Sequence, residues 1–241
     1  MITNPNMSNR EVVDFVLADY KTKKPFLNLD FANVSSTEMT AERVIAYGGR
    51  GRAPRVPFDG QRSGKMTVET QITPMKLFAM LSGSDIATTT KVFTREVLTA
   101  AEKVLTLTEV PVQNSVFVYR ENDDCGVAVT VTVAEKAVTL TDGEDDSRYI
   151  VYYLAEKSTG VQSVSFTSAS FPKAYVAYGE TLYKTEDDEL LPYKIIAYKA
   201  IPQTNFTCSW SNSGDPTSLS IVFDLFQDND GNFFEMQLLE A

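Results

Sequence analysis

The sequence predicts a mainly β protein: an antiparallel β-sandwich with one flanking helix, interrupted by an inserted immunoglobulin-like β domain. Three observations lead there. Short apolar runs alternate with polar residues at the period of two that a half-buried strand requires. Glycine, proline, asparagine and aspartate punctuate those runs at hairpin spacing. At 241 residues the chain is long enough for one large β domain carrying a second as an insert.

In chain order, Asn9–Tyr20 comes first. It places Val12, Val13, Val16 and Leu17 at helical spacing, which predicts a helix that depends on a neighbour. Pro25–Val34 reads as strand. The stretch Gly48–Gly64 is rich in glycine and proline and carries Arg50, Arg52, Arg55 and Arg62, with no acid before Asp59. It reads as a long mobile excursion from a strand pair. Lys65–Ile72 then alternates, with Met66, Val68 and Ile72 on one side and Thr67, Glu69 and Gln71 on the other. A helix is predicted to open with Thr73 as N-cap and Pro74 at its first position. It runs through Met75–Leu81 and stops at Gly83 in a left-handed cap, with Leu77, Met80 and Leu81 as its buried stripe.

Residues 91–165 form a dense series of short strands: Val104–Leu107, Ser115–Tyr119, Val127–Val133, Ala137–Thr141, Tyr149–Leu154 and Val161–Thr167. Their spacing is that of an immunoglobulin-like sandwich, without the Cys…Trp…Cys signature. The expected organisation is therefore a discontinuous outer domain, 1–90 with 166–241, around an insert at 91–165. The return segment holds Tyr175–Tyr183, Tyr193–Tyr198 and two clearly alternating strands. In Asn205–Trp210 the inward set is Phe206, Cys208 and Trp210; in Ser218–Leu225 it is Leu219, Ile221, Phe223 and Leu225. Turns are expected at Asp59-Gly60, Asp142-Gly143, Ser213-Gly214-Asp215-Pro216 and Asp230-Gly231.

Composition removes most chemistry. The chain has no histidine, which excludes Ser-His-Asp and Cys-His constellations and imidazole metal sites. Cys125 and Cys208 lie far apart with neither CxxC nor zinc spacing, and read as reduced, buried thiols. Paired carboxylates do not concentrate with aromatics in a cleft-like pattern, and Gly48-Gly-Arg-Gly51 is not followed by a helix bearing Lys-Ser/Thr. The acidic runs Asp142–Asp146 and Glu186–Glu189 read as solvated hairpin tips. Asp228-Asn-Asp230-Gly231 lacks the third oxygen position and terminal glutamate of a calcium loop, so it reads as a turn. No enzyme activity, cofactor or metal is expected. No signal peptide is expected either, since no basic region precedes an apolar one at the N-terminus, and no apolar run is long enough to span a membrane.

Charge carries the remaining information. The net charge of −10 argues against holding nucleic acid by phosphate neutralisation, but suits a surface past which nucleic acid slides. It is unevenly placed: residues 1–65 hold ten Lys/Arg against seven Asp/Glu, whereas 121–189 hold five against fourteen. The arginine stretch reads as an arm that docks on an acidic surface, either a copy of itself or nucleic acid, with an unpartnered soluble loop as the alternative.

Two blocks, together about 110 residues, carry a family resemblance. Val44–Ile86 runs strand, Arg-Gly loop, Phe-Asp-Gly, alternating strand and a short Leu/Met helix ending in Leu-Ser-Gly-Ser. Phe171–Leu239 runs Phe-Pro-Lys, an aromatic strand with Gly-Glu-Thr, an acidic turn and Tyr-Lys-Ile-Ile-Ala-Tyr-Lys-Ala-Ile-Pro-Gln. It continues through Asn-Phe-Thr-Cys-Ser-Trp and the Gly214-Asp215-Pro216 turn to a last strand. This order resembles the tail tube proteins of tailed bacteriophages, in the longer type with an immunoglobulin-like insert. The resemblance implies a virion tail subunit assembled in the host bacterial cytoplasm. Six copies would form a ring whose inner strands join into one barrel, and rings would stack into a tube for DNA passage during ejection. Implied partners are the protein itself and the tape measure, baseplate or tail-completion proteins, with a sheath if the tail contracts; DNA passes without specific binding. On that reading Thr67, Glu69 and Gln71 face the lumen. Arg50, Arg52, Arg55 and Arg62 form a ring-stacking loop, with the Glu186–Glu189 tip as a candidate counterpart. The alternative is a capsid decoration or baseplate protein whose immunoglobulin-like domain grips glycans or a partner surface.

Overall fold

The computed structural model describes residues 6–240. In chain order the strands are β1 (Met7–Asn9), β2 (Asp14–Asp19), β3 (Pro25–Leu29), β4 (Ala32–Gly48) and β5 (Ala53–Thr70), followed by helix α1 (Met75–Ser82). Then come β6 (Thr90–Thr99), β7 (Val104–Thr106), β8 (Phe117–Arg120), β9 (Val131–Ala134), β10 (Ala137–Leu140) and β11 (Arg148–Lys157). The last four are β12 (Tyr175–Thr185), β13 (Leu190–Pro202), β14 (Leu219–Leu225) and β15 (Phe234–Leu238). The protein is thus mainly β, with a single α-helix among the described residues, and no helix is long and apolar enough to cross a membrane. Two compact units result: residues up to 85 with those from 164 onward, and residues 86–163.

In the first unit one antiparallel sheet runs β3-β2-β12-β13-β14-β5-β4, with β1 added on β12 and β15 on β13. Its end strands β3 and β4 are joined by only Asp30 and Phe31, so chain continuity brings the two ends of the sheet together. The Val13 N–H donates to Ser35 Oγ at 2.9 Å across that gap. β3 and β4 do not pair, and the sheet remains an open sandwich rather than a closed barrel. Its apolar sides enclose one core, in which Phe15, Leu17, Leu29, Met66, Val68 and Phe223 are fully buried. Burying each such side chain is worth about 1.5–3 kcal/mol.

Helix α1 adds Leu77, Met80 and Leu81 to this core. It starts one residue later than predicted: Pro74 is extended and forms the N-cap, with no side-chain oxygen capping it. At the other end Gly83 adopts φ 71°, and its N–H reaches the Ala79 carbonyl at 3.0 Å. A Cβ there would lie 2.0 Å from the Phe171 carbonyl oxygen, so conformation and space both demand glycine.

The helix expected over Asn9–Tyr20 is instead β1 and β2. Val12, Val13, Val16 and Leu17 make a helical stripe, whereas the strand period is carried by Val13, Phe15 and Leu17, and tertiary contacts select the second. Phe15 and Leu17, two apart, face the core opposite the small residues Gly179 and Ala177 of β12. Pro25–Val34 is broken by the turn at Asp30-Phe31. Ile72 lies beyond the end of β5 and is exposed. Thr70 takes the inward position, its hydroxyl bonded to the carbonyls of Phe31 and Ile72. Asn205–Trp210 forms no strand; Phe206 and Cys208 still pack against the core, but Trp210 is 89 % exposed. Val161–Thr167 contributes only the Ala87–Ser163 bridge.

The 86–163 unit consists of two three-stranded antiparallel sheets, β7-β10-β9 and β6-β11-β8. They enclose a second core that includes Leu105, Val118, Val138, Tyr149 and Tyr153. Its buried phenols are satisfied: Tyr149 Oη accepts from the Glu144 N–H at 2.7 Å, and the Tyr153 hydroxyl donates to Glu96 at 2.5 Å. Burial, with the Glu96 carboxylate beside it, pushes the Tyr153 pKa up to about 12.

Candidate assembly surface

β4 and β5 keep pairing well beyond the core. Their register runs from Ala32 opposite Thr70 to Gly48 opposite Ala53. The turn between them, Gly49–Arg52, takes positive φ at Gly49, Gly51 and Arg52. The excursion predicted as mobile at 48–64 is therefore an ordered hairpin, and Asp59-Gly60 lies inside β5 rather than in a turn. The reason is visible in the residues around the turn. Val44, Ile45 and Tyr47 on one side and Val56 and Phe58 on the other are strand formers flanking a short glycine-bearing connection. From Thr40 to the turn, nine residues at about 3.3 Å each give an arm of about 30 Å.

Outward of the Thr40–Ser63 pair, β5 has β4 as its only neighbour, because β14 stops pairing at Gly64. This ribbon has two different sides. Val44 lies opposite Phe58 and Ala46 opposite Val56, which makes one side apolar; Val44, Val56 and Phe58 are 68 %, 48 % and 59 % exposed. The other side carries Ile45 opposite Pro57 and an Arg43–Asp59 ion pair at 2.6 Å. Pro54 and Pro57 have no N–H and so deny two donors to any strand that would pair along the free edge. A two-stranded ribbon of this kind is marginal in water by itself.

The structure gathers Arg50, Arg52 and Arg55 at the tip, where Arg55 Nε reaches the Gly48 carbonyl at 3.4 Å. Arg62 sits apart, near the foot of the ribbon opposite Ala41. Of the three residues read as lumen-facing, Thr67 and Glu69 share the side of β5 that points away from the core. They lie opposite Val222 and Ser220 of β14. Gln71 lies past the strand end and donates to the Pro216 carbonyl at 3.0 Å.

The other candidates are local. Glu186–Glu189 forms the β12–β13 turn, with Asp188 paired to Lys184 at 2.5 Å and Glu186 accepting from Asn6 at 3.1 Å. Asp228 Oδ1 accepts the N–H groups of Asp230 and Asn232 and closes its own turn. Among the described residues no three His, Cys, Asp or Glu side chains are grouped to hold a metal. The cysteines are not both buried: Cys125 is exposed and Cys208 half-buried, and both are free. Their positions differ from the expectation because Cys125 sits in a surface turn at φ 60° and Cys208 in a segment without strand partners. On the 86–163 unit, Phe93 stacks on Tyr152 at 5.6 Å, and Phe117 lies opposite Tyr152 in β8, leaving an outward row of rings.

The YomU/Tube protein family matches residues 10–236, almost the whole chain. The chain belongs to that family. It is a structural protein of the phage tail tube and a component of the virion tail, as the two resembling blocks implied. The family match takes in both the ribbon and the 86–163 unit. No curated protein matches the chain.

Sequence reasoning missed the apolar side of the ribbon. Val44, Val56 and Phe58 were masked by the glycines and arginines around them. The usable signal was the pair of β-forming runs, Val44–Tyr47 and Val56–Phe58, on either side of an eight-residue stretch that contains three glycines.

Proposed function

We propose that this tube protein closes into six-membered rings, that the rings stack, and that the resulting channel passes DNA during ejection. The observation that carries the reading is the 30 Å ribbon, about that long by strand rise, whose apolar side is bare in a protein of a tube-forming family. A free subunit gains nothing from exposing Val44, Val56 and Phe58; a polymer buries them. Ring closure also removes the free edges of β4 and β5. The polar side of β5, with Thr67 and Glu69, lines the bore on this reading, and net negative charge keeps DNA from adhering. Arg50, Arg52 and Arg55, together with Arg62, act in stacking. The insert is read as an immunoglobulin-like domain carried by the tube domain. The rival, a capsid decoration or baseplate binding protein, would rest on the ring row around Tyr152; the family match favours the tube.

Electron microscopy of the purified protein across concentration and salt tests assembly: six-fold rings or tubes are expected, and a species that stays monomeric throughout overturns the reading. The bore is tested by Glu69→Lys. A ring of added positive charge attracts phosphate, so assembly should persist while ejection slows. Parent-like ejection would remove Glu69 from the bore wall.

A further inference from the structure

The two ends of the large sheet turn their apolar sides onto one core, so their outer faces point away from each other. One outer face holds Thr67 and Glu69. The other, across β3, β2, β12 and β13, is different in kind. Cross-strand register sets Val16, Tyr178 and Ile196 side by side in one row and Asp14, Glu180 and Lys194 in the next. These rows form the floor of an open groove of about 820 Å³, with Glu11 and Asp30 also on its wall. Tyr178 is 42 % exposed although it lies in the middle of a sheet. The groove thus has an apolar floor and four carboxylates, and one of these, Glu180, is paired with the single lysine, Lys194, at 3.4 Å. Asp14 and Asp30 are exposed.

We propose that this groove receives the ribbon tip of a second copy of the chain. The inference rests on the tube reading above and names the surface that the arm meets. Two complementarities support it. The ribbon offers an apolar side with Val56 and Phe58 to the floor formed by Val16, Tyr178 and Ile196. Its tip offers Arg50, Arg52 and Arg55 without a nearby acid to a wall holding Asp14 and Asp30. The Glu186–Glu189 turn is a poorer receptor, since it has no apolar floor and two of its carboxylates are already engaged. An arm of about 30 Å at strand rise is long enough to leave its own subunit and reach a neighbour. The experiment separates this docking from the groove's use as a bore wall against DNA.

The test is a charge swap read by sedimentation. Asp14→Lys with Asp30→Lys, and separately Arg52→Glu with Arg55→Glu, should each raise the concentration needed for polymer by about tenfold or more, because like charges then face each other. The chain carrying all four changes should polymerise again near the parent concentration. A second measurement needs no charge change. With Cys125 and Cys208 replaced by serine, Val56→Cys and Tyr178→Cys together should give oxidised intermolecular ladders in assembled material only. If the parent forms tubes but the groove pair polymerises normally and no ladder appears, the docking site is wrong while the tube stands. Normal polymer with slowed ejection would assign the groove to the bore and overturn the proposal. If the parent never polymerises, the tube reading itself fails.

Discussion

Between Gly64 and Thr70, β5 has β4 on one edge and β14 on the other, and Met66, Val68 and Thr70 are completely buried. Between Ala53 and Ser63 the same strand has β4 alone, and every residue is exposed. One pair of strands therefore passes from a region ordered by a core to a region ordered by pairing only. The difference teaches where each half draws its stability. The foot is held by hydrophobic burial inside the subunit, whereas the apolar side chains of the arm, Val44, Val56 and Phe58, are exposed.

The largest expected effect separates the two halves by stability. Met66→Ala removes fully buried atoms and should cost about 2–5 kcal/mol, seen as a clear fall in melting temperature. Phe58→Ala touches no core and should change the melting of the free subunit by no more than about 0.5 kcal/mol, while weakening assembly. Equal destabilisation by both would mean that the ribbon is not free-standing.

Replacing Arg50, Arg52, Arg55 and Arg62 with serine should leave the folded subunit and its melting unchanged yet strongly weaken stacking. Each exposed ion pair is worth only about 0–1 kcal/mol, but on the proposed stacking the contact repeats around every ring. Wild-type tubes should loosen with rising salt for the same reason. Sedimentation of both proteins through a salt series decides the matter, and parent-like polymer from the variant returns these arginines to ordinary surface residues. Because Arg62 lies near the foot, restoring it alone should recover less than restoring the three at the tip.

The smallest effect concerns the Arg43–Asp59 pair on the ribbon's polar side. Both side chains are more than half exposed, so Arg43→Ala should alter subunit stability by less than about 1 kcal/mol. A larger loss in thermal unfolding would show that the arm owes its order to this pair rather than to its register.

How much of this was legible follows from the physics of each segment. Ser218–Leu225 was readable because its apolar set is strictly alternate and all four inward residues are buried. Helix α1 was readable from its stripe and from Gly83, whose constraints are local. β2 was not, because Val12, Val13, Val16 and Leu17 make a helical stripe, and the strand set of Val13, Phe15 and Leu17 is selected only by pairing with β12. β6 escaped notice because Glu96, facing inward, is a charged residue that bonds the Tyr153 hydroxyl, and Phe93 is an aromatic that faces out. At the assembly surface the arginines stood out in the sequence. The pairing that puts Val44 beside Phe58, and the cross-sheet row that makes a groove of Tyr178, are products of register between distant segments.

The 86–163 unit is entered and left through adjoining backbone. Ala87 and Ser163 exchange both of their N–H···O bonds, at 2.8 and 2.9 Å, where the segment departs and returns. A passage of 78 residues, counted from 86 to 163, thus occupies the footprint of a single tight connection. None of the strands between residues 86 and 163 belongs to the nine-stranded sheet, so the passenger is no part of that sheet's pairing. A designer can use the same opening, grafting a foreign domain between residues 85 and 164 of the carrier.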